Sequence, residues 1–86
     1  MRGTTSTGFE FDVDEKRLDD YELLEDLADM TDGKEGKIVS VINRLLGEEQ
    51  KEKLKDHLRD QEGRVAATGM TKEIMDVFKA LKAKNS

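Results

Sequence analysis

Residues 37–47 read KIVSVINRLLG, and this stretch decides the fold class. Ile38, Val41, Ile42 and Leu45 recur at i, i+3, i+4 and i+7, the spacing of one face of an α-helix. Val39 and Leu46 widen that face, so the stretch predicts a helix over 37–46, and Gly47 stops it. An apolar arc this broad needs neighbours on several sides. It therefore reads as the central helix of a small bundle.

The flanking segments supply those neighbours. Upstream, Asp19 can cap a helix, Glu22 follows three residues later, and Leu18 can staple to Leu23. Leu23, Leu24, Leu27, Ala28 and Met30 cover nearly half of that helix, and Gly33 suits the left-handed position that ends it. Residues 33–36 (GKEG) make a short loop. Downstream, residues 48–62 predict a charged outer helix with Leu54 and Leu58 as its aliphatic anchors, closed by Gly63. Thr68 is the expected cap of a last helix that aligns Met70, Ile74, Val77, Phe78 and Leu81 on one face. Lys79, Lys82 and Lys84 crowd its final turns, where they complement the helix macrodipole.

The N-terminus differs in period. Phe9, Phe11 and Val13 alternate with Glu10, Asp12 and Asp14, the pattern of a half-buried strand. One strand is not stable alone, so it needs an edge to pair with or a groove to lie in. Residues 1–8 (MRGTTSTG) are small and polar and are expected to be disordered. The expected architecture is all-α, a small bundle of about four helices preceded by a short extended N-terminal arm. Residues 9–83 form its single domain and residues 84–86 a flexible C-terminus. The predicted core is Leu24, Leu27, Ile38, Val41, Ile42, Leu45, Leu54, Leu58, Ile74 and Phe78.

Composition sets the limits. The chain has 86 residues and no cysteine, which excludes disulfides and thiolate metal sites. Leu, Ile, Val and Phe together number 20, against a charged content of 41%, so the core must be thin. No apolar run is long enough to span a bilayer and no signal-peptide pattern occurs, which reads as a cytoplasmic protein without a membrane partner. The net charge of −5 is unevenly spread. Residues 1–33 carry 11 acidic and 3 basic side chains, and residues 34–86 carry 9 and 12. These surfaces either attract each other within one chain or steer an oppositely charged partner. With no dense basic stripe, nucleic-acid binding is not expected.

Each apparent chemical motif fails on spacing. Gly33-Lys34-Glu35-Gly36-Lys37 has two residues between its glycines where a phosphate loop needs four, and Ile38 replaces the hydroxyl ligand of magnesium. Asp29-Met30-Thr31-Asp32-Gly33 lacks the alternating oxygens and closing glutamate of a calcium loop. His57 is the only histidine and reads as a residue at the rim of the core. Lys51, Lys55 and Arg59 form a basic stripe that Glu48, Glu49, Glu52 and Asp56 neutralise. No catalytic, cofactor-binding or metal-binding residue is assigned, and an enzyme is not expected. The candidate partner-binding residues are Phe9 and Phe11 of the arm and Ile74, Val77, Phe78 and Leu81 of the last helix. The arm either folds back onto its own chain or adds to a neighbour and builds a homo-oligomer.

The ordered series of segments resembles a family. Gly8-Phe9-Glu10-Phe11 leads into Leu18-Asp19-Asp20-Tyr21-Glu22-Leu23-Leu24-Glu25-Asp26-Leu27-Ala28. Leu45-Leu46-Gly47-Glu48-Glu49-Gln50 follows, then Leu54, His57-Leu58 and Gly63-Arg64-Val65. From residue 8 to 78 this resembles the tail assembly chaperones of siphophages, although Ala66 stands where similar proteins carry proline. The resemblance implies a non-catalytic protein of virion assembly, active in the host cytoplasm and absent from the mature virion. It implies binding to the tape measure protein, and recruitment of the tail-tube protein by a longer frameshifted product. A small acidic inhibitor or DNA mimic acting on a host enzyme is the alternative.

Overall fold

The arm finds its pairing edge in the segment expected to be disordered. In the computed structural model, which describes residues 1–84, strand β1 (Arg2–Thr4) pairs antiparallel with β2 (Glu10–Asp12), matching Arg2 to Asp12, Gly3 to Phe11 and Thr4 to Glu10. The expectation of disorder over 1–8 is thus corrected. The turn is closed by local chemistry: the Thr5 amide donates to the Phe9 carbonyl at 2.9 Å, and the Thr5 hydroxyl accepts from the Phe9 amide at 3.1 Å. Gly8 supplies a positive φ of 89°. Gly3 has a second role, because a Cβ there would stand 2.5 Å from Cζ of Phe11. The phenylalanine ring therefore folds over a strand position that only glycine fits. The outer edge of β2 is satisfied by a side chain: Gln50 donates to the Asp12 carbonyl at 2.6 Å and accepts from its amide at 2.7 Å.

Four helices follow: α1 (Glu15–Leu18), α2 (Tyr21–Thr31), α3 (Ile38–Leu58) and α4 (Ala67–Lys84), with a 3-10 turn at Glu35–Lys37. Helix α1 is a single turn, capped by Asp14, that the sequence pattern did not reveal. The cap of α2 is Asp20, one residue later than expected, and its carboxylate accepts from the amides of Glu22 and Leu23. Gly33 ends that region with φ 96°, as its position after the helix required.

Gly47 stops the first limb of α3, but it does so as a bend and not as a loop. At φ 78° and ψ 171° it is non-helical, yet helix resumes at once on its far side. The carbonyl of Leu46 accepts instead from the Gln50 side chain at 3.0 Å. The second limb ends at Leu58 and not at 62. The carboxylate of Asp60 takes the amides of Glu62 and Arg64, at 2.9 and 3.0 Å, into a turn finished by Gly63. Helix α4 begins one residue before Thr68, so that threonine lies in the first turn and is not the cap. Lys84 ends α4, and the remaining two residues expected to be flexible, 85–86, lie outside the described residues.

The core gathers on α3. Val41, Ile42, Leu45, Leu46 and Leu54 meet Ile74, Val77 and Leu81 of α4, Leu23 of α2, and Phe9, Phe11 and Val13 of the hairpin. Of the ten expected core residues, Val41, Ile42, Leu45, Leu54 and Ile74 are buried, and Leu27, Ile38, Leu58 and Phe78 are half-buried. Leu24 is the error: it is 61% exposed, and Leu23 takes the inward position. The result is a small, mostly helical domain of four helices behind a short extended N-terminal region.

Candidate functional site

The residues proposed for partner binding are mostly interior. Phe9, Phe11, Ile74, Val77 and Leu81 are buried, and only half-buried Phe78 also lines a surface hollow. They are therefore corrected to core residues in this structure, where the arm folds back on its own chain. The cause is direct: the hairpin lies against α4 and the second limb of α3, so the two apolar surfaces thought to await partners cover each other.

Polar contacts fix that docking. The Thr7 hydroxyl donates to Oε1 of Glu73 at 2.5 Å, and the Ser6 hydroxyl donates to Asp76. His57 Nε2 lies 3.1 Å from the same Thr7 hydroxyl, and its ring is 5.6 Å from that of Phe9. Glu73 is 2% exposed, and its Oε2 has no hydrogen-bond partner. His57 thus joins the hairpin to α3 at the surface. Among the described residues, no group of three or more His, Cys, Asp or Glu is placed to hold a metal ion.

A second polar centre ties α2 to α3. Asp26, almost buried, accepts from the Ser40 hydroxyl at 2.5 Å and from Arg44 Nε at 3.2 Å, with Lys37 Nζ at 3.7 Å. The Ser40 hydrogen bond, with Lys37 and Arg44 beside it, holds the Asp26 carboxyl below its usual range against the opposing effect of burial. Arg44 also reaches Asp20 at 3.5 Å and Glu22 at 3.4 Å. Partial burial disfavours its charge, but Glu22, Asp20 and Asp26 outweigh that and raise its pKa. Three acidic residues of the first 33, Asp20, Glu22 and Asp26, are in this way neutralised within the chain. On the second limb of α3, Lys51, Lys55 and Arg59 pair with Glu48, Glu52 and Asp56, so the basic stripe is a solvated, paired face.

What remains open is apolar. Helices α2 and α4 both pack on α3 and scarcely touch each other, which leaves a groove between them. Its main part, about 550 Å³, is lined by Leu27, Met30 and Thr31 of α2, by Glu35 and Ile38, and by Ala67, Thr68, Thr71, Lys72 and Met75 of α4. It continues at one end into a hollow walled by Leu18, Tyr21, Leu24 and Phe78. At the other end, Ile38 and Ala67 lead to Val39, Val65 and Met70. Among the described residues, the four large exposed apolar ones, Tyr21, Leu24, Val39 and Met75, all lie along this surface. The excess width of the apolar arc on α2 was its sequence signal, because one narrow contact with α3 cannot bury Leu23, Leu24, Leu27 and Met30 together.

Comparison with protein-family models, with curated proteins and with solved structures finds no match to this chain. Among the described residues no helix is long and apolar enough to cross a membrane.

Proposed function

We propose that this protein is a non-catalytic tail assembly chaperone of a long-tailed bacteriophage, which holds the helical tape measure protein while tail-tube subunits assemble around it. The single observation that carries the reading is the groove between α2 and α4, where Tyr21, Leu24 and Met75, large exposed apolar residues of a highly charged chain, are gathered. An open apolar trough between two helices suits the apolar face of a third. The sequence resemblance supplies the identity of that third helix. The site of action is then the host cytoplasm during virion assembly, and a longer frameshifted product would bring in the tail-tube protein.

Two features weigh against a DNA mimic. Asp20, Glu22 and Asp26 converge on Arg44, and Glu48 and Glu52 are paired with lysines, so these carboxylates do not form an open anionic array. The test is titration of the full chain against the tape measure protein of the same phage. Leu24→Asp and Met75→Glu each change an exposed residue, so melting should be nearly unchanged while affinity falls at least about tenfold, a loss of ~1.4 kcal/mol. Unchanged affinity in both variants would remove the groove from the binding surface.

A further inference from the structure

We infer that the groove between α2 and α4 selects a helix of about three turns whose apolar stripe is flanked by acidic residues on one side and basic residues on the other. This rests on the helix-binding reading above and specifies the chemistry of the partner.

The two walls run antiparallel. Tyr21 and Leu24, from the start of α2, share a hollow with Phe78 from the second half of α4. Leu27, Met30 and Thr31, from the end of α2, face Thr68, Thr71 and Met75 from the first half of α4. The 11 residues of α2 span about 16 Å, which fixes the length of helix that can lie alongside.

The walls differ in charge. On α4, Lys72 lines the groove, and Lys79 and Lys82 follow at i+4 from Met75 and Phe78 on the same face. All three are exposed, and among the described residues none enters an ion pair. On the opposite side Asp19 lines the hollow, while Glu25 and Asp32 follow directly on Leu24 and Thr31 at the outer rim of α2. These three acids are likewise exposed and outside any ion pair among the described residues. The other acids of this helix and its cap are engaged: Asp20, Glu22 and Asp26 by Arg44, and Asp29 by Lys34 and Lys37. Uncompensated charge of opposite sign therefore borders the apolar floor on its two sides. A helix with segregated flanks answers both walls at once, and the segregation also dictates which way it points. A helix with like charge on both flanks meets repulsion along one wall.

The experiment uses three synthetic peptides of ~14 residues with one common leucine stripe and segregated, doubly acidic or doubly basic flanks. Binding to the full chain is read by fluorescence anisotropy at low salt. The segregated peptide should bind about tenfold more tightly than either other, the sum of several exposed pairs. The triple variant Lys72→Glu, Lys79→Glu, Lys82→Glu should transfer that preference to the doubly basic peptide, and about 1 M salt should abolish both preferences. Equal binding of all three peptides, or a preference that survives such salt, overturns the charge rule but leaves the helix-binding reading intact. Absence of binding by any peptide also overturns it, and the tape measure titration then decides separately whether the helix-binding reading stands. A concentration-dependent dimer abolished by Leu24→Asp would make the occupant a second copy and overturn it as well.

Discussion

The hairpin and α2 are of similar length and pack on the same central helix, yet they are held by different physics. The hairpin buries Phe9, Phe11 and Val13 completely or nearly so. Helix α2 buries one aliphatic side chain, Leu23, and beside it a carboxylate, Asp26. Burial of a large apolar side chain contributes roughly 1.5–3 kcal/mol and is not weakened by ionic screening. A network such as Arg44 with Asp20, Glu22 and Asp26 fixes geometry more than it adds net stability. The segment that looked least structured is thus anchored by apolar burial, while α2 is fixed in large part by a polar network.

Substitutions that separate the two attachments test this contrast. The largest effect is expected from Phe11→Ala, at ~3–5 kcal/mol, because it empties the core and leaves nothing to cover Gly3. Thermal melting should show the whole domain destabilised; loss confined to the hairpin would mean that it is an accessory and not part of the core. Next is Thr7→Val, which removes the hydroxyl donor to Oε1 of buried Glu73, whose Oε2 already lacks a partner, and should cost ~1–3 kcal/mol. Pairing it with Glu73→Leu should recover much of the loss, and failure to do so would locate the effect elsewhere.

Smaller and more local, Arg44→Met should lower the melting temperature modestly while selectively reducing hydrogen-exchange protection of α2. If the hairpin amides lost protection equally, the two attachments would not be separable. The smallest effect concerns pH. Asp26 has a lowered folded pKa, so its contribution is complete above the ordinary aspartate value of about 3.9 and is lost as pH falls through the folded value. The stability difference between the parent and Asp26→Asn should therefore be widest at neutral pH and shrink below about pH 4. A constant difference from pH 7 to about pH 2.5 would remove the linkage.

Period-based reading found the helices because α3 and α4 bury the faces that their apolar residues define. It failed where pairing is non-local or where a short polar side chain decides. Nothing within residues 1–8 reveals that Gly3 sits opposite Phe11, since the information lies in the ring that folds across it. Asp60 ended α3 early by capturing two amides, an outcome that the charged pattern of 48–62 does not encode. The candidate site was misplaced for a related reason. Apolar stripes on the arm and the last helix looked unpartnered one at a time, and only their mutual packing shows that they satisfy each other. Leu24, expected in the core, and Met75 were not assigned to the site because each adjoins a residue that does face the core, Leu23 and Ile74.

The bonds from Ser6 to Asp76 and from Thr7 to Glu73 join positions 70 and 66 apart in sequence. Bringing such distant points together costs on the order of 4 kcal/mol of chain entropy before any contact forms. Contacts between α2 and α3 close far smaller loops. Folding should therefore begin with α2 and the first limb of α3 and finish when the N-terminal hairpin docks on α4. Thr7→Val should accordingly speed unfolding while leaving the refolding rate almost unchanged. The last step of self-assembly, after the rate-limiting barrier, is thereby assigned to the meeting of the hairpin with α4.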